Sequence, residues 1–250
     1  MPQPYDARAI LKIDGNDNFR FLQDLVTNDL AKLKEGLIYA ALLGPQGKFL
    51  FHFFLFKRGE SIFLDCASSE ADALLQRLNM YKLRRDVQIE NTDLSVSRGL
   101  GQAPERAFAD PRHVGLGWRL YETTQIEDDV DWDALRIELG VPEHGRELTT
   151  DSYILEHGFE RLNGVDFRKG CYVGQEITAR MKHKTELRKG LAKVRISDEV
   201  PLHTPITANG KTIGYVASQS DGKALAYLRF DQAKGDIVAG NAMITEVEPL

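Results

Sequence analysis

The chain has 250 residues, 42% of them hydrophobic and 28% charged, and a formal net charge of −5 at pH 7. This composition is typical of a globular protein with a large core, built as one domain or a few small ones, and it argues against a broadly basic nucleic-acid-binding protein. The chain has neither an apolar run near the roughly 20 residues that cross a bilayer nor an N-terminal targeting pattern, and its two cysteines argue against a disulfide framework, so we expect a cytoplasmic protein.

The N-terminal half alternates β-rich runs with two helical segments. Apolar residues at helical spacing and short runs rich in aromatic or β-branched residues distinguish the two kinds of element. The order strand–strand–helix–strand predicts an α+β layer with an antiparallel sheet. The predicted elements are a helix over 18–33, strands over 36–43, 48–57 and 61–67, a helix over 70–80 and a strand over 87–90.

The C-terminal half begins with an acidic run, 127–133, before a helix predicted to end near Gly140. Acidic side chains are favourable at a helix N-terminus, so we interpret this run as capping charges rather than as metal ligands. From Gly190 onward, short strands at regular spacing are punctuated by glycines, which predicts a β-barrel of about 60 residues. The predicted strands cover 191–196, 212–218, 223–230 and 237–238.

The strongest chemical signal is the octapeptide 169–176, Lys-Gly-Cys-Tyr-Val-Gly-Gln-Glu. It places Cys171 after a basic pair and before a predicted helix, and both features favour the thiolate form of a cysteine. The flanking glycines let the backbone turn tightly and approach a ligand closely. The residues alone leave a second interpretation open, in which Cys171 is a small buried side chain beside a glycine turn.

The surroundings of the octapeptide are basic although the whole chain is acidic. Residues 168–189 contain seven Lys or Arg and two Glu, a local balance of +5. Such a patch attracts anionic ligands, for example a polyglutamate tail or a phosphate backbone. The alternative is a solvated basic helix face.

Patterns of common metal and nucleotide sites are absent from the sequence. Cys171 has no second cysteine nearby, and no His-x3-His pair or acid-rich calcium loop occurs, so we expect no resident metal. The glycine patterns of Walker and Rossmann nucleotide sites are also missing. A Cys-His-Asp hydrolase stays open at this stage, because such triads assemble only in space.

The octapeptide resembles the signature of the YgfZ family, folate-binding-fold proteins that support iron–sulfur enzymes and are related to the T-protein (aminomethyltransferase) of the glycine cleavage system. Other segments resemble the same family in the same order, so the resemblance spans most of the chain. The flank 178–183 is most similar to the mitochondrial and alphaproteobacterial branch. The further segments are 21–30, 44–50, 81–87, 110–112, 155–156, 163–165, 178–180, 210–218 and 224–227.

This resemblance implies an α+β, T-protein-like fold. Two α/β lobes with antiparallel sheets would surround a central channel that binds tetrahydrofolate, and a small β-barrel would follow. We expect residues 1–45 with 130–186 to form the lobe that carries the cysteine motif, 46–129 to form the second lobe and 187–250 to form the barrel.

The resemblance also implies cofactor-binding residues. Glu156 lies where the family places a glutamate that bonds the pterin ring, and a carboxylate can accept two N–H bonds from the edge of that ring. Thr27 and Asn28 match a turn that approaches the same channel. Charge alone suggests that Arg180 holds the glutamate tail of the folate. The alternative for Glu156 is an ordinary surface position near a strand end.

Cys171 is the expected functional thiol, and Lys169 would favour its thiolate form. Gln175 and Glu176 would hold the loop through hydrogen bonds. The other residues expected to shape the loop are Gly170, Tyr172 and Gly174.

One departure argues against aminomethyl transfer itself. The T-protein needs an aspartate in the strand after its glycine hairpin, and the matching position here is His52. An imidazole cannot reproduce the anionic role of a buried carboxylate. The resemblance therefore implies a folate-binding accessory protein for iron–sulfur cluster assembly or repair, a monomer without membrane association. Its partners would be assembly proteins or client enzymes, with transient contact to a cluster.

Two other functions remain open at this stage. The chain could be a folate-dependent one-carbon transferase linked to tRNA modification, with Cys171 as nucleophile and RNA against the basic patch. Alternatively, it could be a folate-binding scaffold without chemistry, in which Cys171 only packs. Whether the protein is an enzyme is left undecided by its sequence.

Overall fold

The computed structural model describes residues 7–184 and 187–250. The chain divides into two compact units. The first contains the chain up to Gln46, Leu50–Val130 and Leu162–Gln175. The second contains Gly47–Phe49, Asp131–Arg161 and Glu176–Leu250. The lobe boundaries implied by the resemblance stay a prediction.

The first unit is an α+β layer. Its elements are β1 (Arg8–Asp14), α1 (Asn18–Gln23), β2 (Ile38–Leu43), β3 (Phe49–Arg58), β4 (Ser61–Ala67), α2 (Ala71–Lys82), β5 (Gln88–Asn91), β6 (Ser95–Gly99), β7 (Phe108–Ala109) and β8 (Trp118–Glu122). A five-stranded sheet has the order β2-β3-β4-β1-β5, and a three-stranded sheet has the order β6-β8-β7. Antiparallel pairing in both sheets confirms the predicted fold class, although β6, β7 and β8 were not predicted.

Leucines at helical spacing attach α2 to the larger sheet. Leu74 and Leu78 lie four residues apart on one face and are fully buried. They belong to a core cluster that includes Leu11, Phe53 and Leu64 from the strands. Burying each such side chain stabilises the fold by about 1.5–3 kcal/mol. The helix predicted over 70–80 is therefore confirmed.

The single helix predicted over 18–33 is wrong in its middle. α1 is short, and a 3-10 turn at Leu30–Lys34 follows after a non-helical stretch. Within that stretch, Val26 bridges to Leu42 of β2, and the Asp29 side chain accepts a bond from the backbone of the 3-10 turn. Short polar side chains that bond the backbone compete with helix formation, so the helix breaks despite its apolar spacing.

The C-terminal elements form a closed six-stranded barrel preceded by two helices. They are α3 (Trp132–Leu139), α4 (Gln175–Lys184), β9 (Lys189–Ile196), β10 (Pro205–Ala208), β11 (Lys211–Ser220), β12 (Lys223–Arg229), β13 (Ile237–Ala239) and β14 (Ala242–Pro249). The barrel order is β10-β11-β12-β9-β14-β13, which confirms the predicted barrel. None of the helices in the described residues combines the length and the apolar character needed to cross a bilayer.

Two barrel strands, β10 and β14, were not predicted. In β14 the register against β9 shifts between Thr245 and Glu248, and Glu246 has a positive φ of 51°. Such a bulge interrupts the two-residue alternation on which strand prediction depends. The predicted β9, by contrast, places Ala192, Val194 and Ile196 in the barrel core at strict alternation.

The acidic run before α3 supplies a helix cap, as predicted. The Asp131 side chain accepts a bond of 2.9 Å from the backbone N–H of Ala134. Asp133 lies in the first turn, and Gly140 ends the helix in the left-handed region at φ 70°. This combination satisfies the free N–H and C=O groups at the two ends of the helix.

A buried ion network holds β1, β4 and β8 together in the first unit. Asp65 is fully buried and accepts from Arg8 Nε at 2.6 Å, Arg119 Nη2 at 2.8 Å and the Tyr121 hydroxyl at 2.8 Å. Burial alone would raise the pKa of Asp65, but the Arg8 and Arg119 guanidiniums outweigh it and lower that pKa. The Arg119 guanidinium also lies 4.0 Å from the centre of the Phe54 ring.

Replacing Asp65 with Asn should destabilise the fold by about 3–5 kcal/mol, because Arg8 loses its carboxylate partner and the buried Arg119 guanidinium keeps only Asp110, at 3.5 Å. The carboxylate stabilises the fold above its unfolded pKa, and this contribution disappears as pH falls through the lower folded pKa. Urea unfolding at neutral and acidic pH should show that the difference in unfolding free energy between the wild type and Asp65→Asn becomes smaller at low pH. The exposed control Glu60→Gln should leave the midpoint unchanged, and an Asp65→Asn midpoint equal to wild type would contradict the network's role.

Candidate functional site

The Thr27 side chain joins three segments of the first unit. Its hydroxyl donates to Gly164 O at 2.6 Å and accepts from Ala41 N at 2.8 Å, and the residue has no exposed surface. The backbone N–H of Asp166 donates to Thr27 O at 3.0 Å. Thr27 therefore fixes the turn after α1 against both β2 and the segment that leads to the cysteine motif.

Asn28 does the same for the next residue of the turn. Its Nδ2 donates to Tyr39 O and Asn163 O, both at 2.8 Å, and its Oδ1 accepts from Lys32 Nζ at 3.1 Å. The residue is 2% exposed. Asn28, Lys32, Tyr39 and Asn163 all line a cavity of about 480 Å³ in the first unit. The Asn28 side chain therefore bonds groups within the fold, while the residue also borders the cavity.

The Lys169 ammonium is buried beneath the same turn. It donates to Gln23 O at 2.7 Å, Val26 O at 2.5 Å and Asn28 O at 3.1 Å, and the residue is 7% exposed. Burial lowers the pKa of Lys169 to about 8, against the opposite effect of nearby carboxylates, first among them Asp29. Gln23 ends α1, and Val26 and Asn28 lie in the non-helical stretch that follows, so the ammonium bonds carbonyls at and beyond the end of the helix. These bonds also clamp the cysteine loop to the first unit.

Cys171 is exposed, and the residues on both sides of it are anchored. Before it, Lys169 is held by the three backbone carbonyls that its ammonium bonds. The same ammonium lies 5.1 Å from the ring centre of Tyr172, which is 8% exposed. Val173 packs against the core of the first unit. Gly174 then turns the chain into α4 at a positive φ of 82°, a conformation that favours glycine. The thiol thus projects from a fixed backbone.

The remaining motif residues have mixed surroundings. A Cβ added to Gly170 would meet no atom of the described chain within 4 Å, so space does not require glycine there. The backbone N–H of Gln175 donates to Tyr172 O at 3.2 Å. Glu176 pairs instead with Arg180 at 2.9 Å, one helical turn away on α4. Both side chains of that pair are mostly exposed.

Glu156 lies in the second unit with its carboxylate largely buried. The Tyr227 hydroxyl donates to its Oε2 at 2.6 Å, and Lys189 Nζ lies 3.7 Å from its Oε1. The His157 ring stacks on Tyr227 at a centroid distance of 5.4 Å. Burial and the bond to Glu156 raise the pKa of Tyr227, so the phenol stays protonated and donates. The carboxylate keeps lone pairs that can accept further N–H bonds.

Sequence reasoning missed the surroundings of Glu156. Tyr227 ends the 224–227 segment and Lys189 ends the basic run, but only the strand alternation of β12 and β9 could have placed them on one surface. Gly190 is required by space, because a Cβ there would lie 2.7 Å from the carbonyl oxygen of Glu156. Tyr215 lies directly opposite Tyr227 on β11, with ring centres 5.8 Å apart.

His52 forms a buried pair with Tyr39. The Tyr39 hydroxyl and His52 Nδ1 are 2.7 Å apart, and the two residues are 0% and 3% exposed. A phenol and an imidazole therefore occupy the position where the resemblance would require a carboxylate for aminomethyl transfer. Between residues 7 and 184 and between 187 and 250, no group of three or more His, Cys, Asp or Glu side chains is arranged to hold a metal ion.

Comparison with known proteins adds relatives and a fold neighbour. Residues 188–249 match the family model of the CAF17 C-terminal β-barrel domain. The human mitochondrial iron–sulfur cluster assembly factor IBA57 is 32% identical over 93% of this chain and 78% of its own, and the mouse protein is 31% identical with the same coverage. The aminomethyltransferase T of the Bartonella henselae glycine cleavage system superposes with a TM-score of 0.72 over 97% of this chain and 83% of its own, at 15% identity. That neighbour confirms the predicted T-protein-like fold.

The predicted cytoplasmic location is wrong. The human and mouse relatives are named as mitochondrial proteins, as is a homologue from Mycosarcoma maydis that is 30% identical over 73% of this chain and 54% of its own. The prediction rested on cysteine number and on the look of the N-terminus, and neither property identifies a compartment by itself.

In the native protein, iodoacetamide should modify Cys171 and spare Cys66. Cys66 is fully buried in β4, and burial raises the pKa of its thiol to about 12. Because alkylation requires an accessible thiolate, Cys66 should react only after unfolding. Intact mass and peptide mapping should give one adduct in native buffer and two in guanidinium chloride. Native labelling of Cys66 would contradict this arrangement.

Proposed function

The chain belongs to the IBA57 family of iron–sulfur cluster assembly factors within the YgfZ group, and from this membership we propose that it acts in the assembly or repair of iron–sulfur clusters on client enzymes, with Cys171 as its functional thiol. The observation that carries the proposal is an exposed thiol on a backbone fixed from both sides, by Lys169 and by Tyr172. The T-protein-like fold by itself supports no activity, since one fold serves many functions.

A single thiol limits what the chain can do with a cluster. Iron–sulfur clusters are commonly held by four cysteine thiolates. Cys171 stands alone as an exposed cysteine, so a cluster that it contacts would take its other ligands from a partner protein. The cluster is then cargo in transit, and Cys171 would act at the moment of transfer.

Lys169 has a positioning role in this proposal. Its ammonium holds the loop through three backbone carbonyls, which keeps the Cys171 backbone in place while the thiol reacts. Gly170, Gly174 and Gln175 would shape the same loop.

We further propose that the protein binds tetrahydrofolate or a derivative. The Glu156 carboxylate fits the N–H edge of a pterin, because it is held by Tyr227 and Lys189 and retains acceptor capacity. The cofactor role of Thr27 and Asn28 stays a prediction, and their side-chain donors already bond backbone carbonyls of the first unit. Arg180 is exposed and would meet the acidic tail.

Complementation tests the role of Cys171. In a host that lacks the gene, the wild type should restore the activity of a [4Fe–4S] dehydratase, Cys171→Ser should not, and the matched control Cys66→Ala should. Equal restoration by Cys171→Ser would make the thiol structural. If the deletion leaves dehydratase activity unchanged, the cluster role fails and a folate-dependent one-carbon transferase becomes the better proposal.

Isothermal titration with tetrahydrofolate tests the cofactor proposal. Glu156→Gln should weaken binding by about 10–100-fold, because a charge-assisted bond of about 1.5–3 kcal/mol is lost. Arg180→Met should weaken the polyglutamylated form more than the monoglutamate. Thermal unfolding of each variant separates lost binding from lost folding. Unchanged affinity in Glu156→Gln would refute the assignment of the pterin site.

A further inference from the structure

Asp166 is a charged residue that ties the start of the cysteine loop to the turn after α1. Its Oδ1 accepts from the backbone N–H of Arg168 at 2.7 Å, and its Oδ2 lies 2.8 Å from Lys32 Nζ. The residue is 7% exposed. Because Lys32 belongs to the 3-10 turn Leu30–Lys34, this carboxylate connects that turn to the backbone just before Cys171.

The bond to Arg168 fixes the direction of the chain locally. A short Asp side chain that accepts from the backbone N–H two residues later forms a tight local turn. The charge of Arg168 contributes little, because its side chain is 93% exposed and its Nε lies 4.0 Å from Asp166 Oδ1. The backbone of Arg168, rather than its guanidinium, is therefore what Asp166 holds.

The pair with Lys32 is partly shielded from water. The exposed fractions of the two side chains are 39% for Lys32 and 7% for Asp166. Lys32 Nζ also donates to Asn28 Oδ1 at 3.1 Å, which orients the ammonium. Burial alone would raise the pKa of Asp166, but the Lys32 ammonium and the Arg168 N–H outweigh it and lower that pKa. The carboxylate is therefore ionised at neutral pH, and the pair forms there.

The main chain adds a third connection at the same residue. Asp166 N donates to Thr27 O at 3.0 Å, and the Thr27 hydroxyl donates to Gly164 O at 2.6 Å. Residue 166 is thus held through its backbone, and its short side chain starts from a fixed point. Lys169, by contrast, reaches its carbonyls through a long flexible side chain, which leaves the direction of the backbone before it less restricted.

We propose that Asp166, held by Lys32, is a positioning residue for Cys171, and that its carboxylate sets the backbone direction in which the chain enters the cysteine loop. This inference rests on the proposed role of Cys171 and adds to it a residue outside the octapeptide. Asp166 and Lys169 lie on either side of Arg168, so the two anchors restrict the backbone at the entrance of the loop. Loss of the Asp166 charge should loosen the loop while the rest of the fold stays intact.

Hydrogen exchange of amides 168–174, followed by mass spectrometry on the full-length protein, measures the positioning directly. Asp166→Asn keeps an oxygen that can accept from Arg168 N but loses the charge opposite Lys32, and Asp166→Ala loses both. Exchange should be about threefold faster in Asp166→Asn and faster again in Asp166→Ala. Lys32→Met should match Asp166→Asn, and the double variant should exchange no faster than either single one, because both changes remove the same pair.

Two variants serve as controls. Lys32→Arg keeps a cation at the same place and should retain wild-type exchange. Glu138→Gln breaks another lysine–carboxylate pair, 3.0 Å from Lys223 in the second unit, and should leave exchange at 168–174 unchanged. Wild-type exchange in both Asp166 variants would overturn the proposal. So would a Tm more than about 8 °C below that of the wild type in Asp166→Asn, which would make Asp166 a residue that holds the whole fold rather than the loop.

Complementation connects the loop to function. Asp166→Asn and Asp166→Ala should restore less [4Fe–4S] dehydratase activity than the wild type, and Lys32→Arg should restore it fully. Full restoration by a variant whose loop exchanges faster would show that the fixed loop is unimportant for the thiol, which would contradict the positioning role. If the wild type itself restores nothing, the proposed function fails, whereas the exchange measurements still decide whether Asp166 positions the loop.

Discussion

The buried ammonium of Lys169 is the interaction on which the geometry of the cysteine loop depends. A buried charge is unfavourable unless it is hydrogen-bonded, and here three backbone carbonyls accept hydrogen bonds from the ammonium. Those carbonyls are available because α1 stops at Gln23 rather than continuing to Lys34. The break in the helix and the burial of the lysine therefore explain each other. Cys171 owes its fixed backbone to both.

Polar side chains carry this arrangement further into the first unit. Thr27 and Asn28 are buried as deeply as the apolar core, and each connects the turn to β2 and to the 163–164 segment. Losing one partner of a buried hydrogen bond costs more than the bond contributes, so such residues tie segments together rigidly. The second unit uses the same principle at Glu156, where Tyr227 and Lys189 orient a carboxylate that a ligand can still approach.

Backbone strain and exposure distinguish the end of α2 from these sites. At Lys169, Thr27 and Asn28 the polar groups are matched within the fold. At Leu83 the backbone has a positive φ of 51° and the side chain is in solvent. The segment that follows is held against α1 by Asp17, whose carboxylate accepts a hydrogen bond from Asp86 N.

The sequence alone determined the family, the α+β class and the barrel, because these depend on local patterns: an octapeptide, helical or alternating hydrophobicity and glycine spacing. It also predicted that the acidic run 127–133 supplies capping charges, since a helix end is a local structure, and the structure identifies Asp131 as the cap. The tertiary structure decided what those residues touch. No spacing rule joins Lys169 to Gln23, Tyr227 to Glu156 or Asp65 to Arg119, which are distant in the chain and meet only after folding. The helix break near Thr27 and the strained Leu83 arise in the same way, because long-range contacts outweigh local preference.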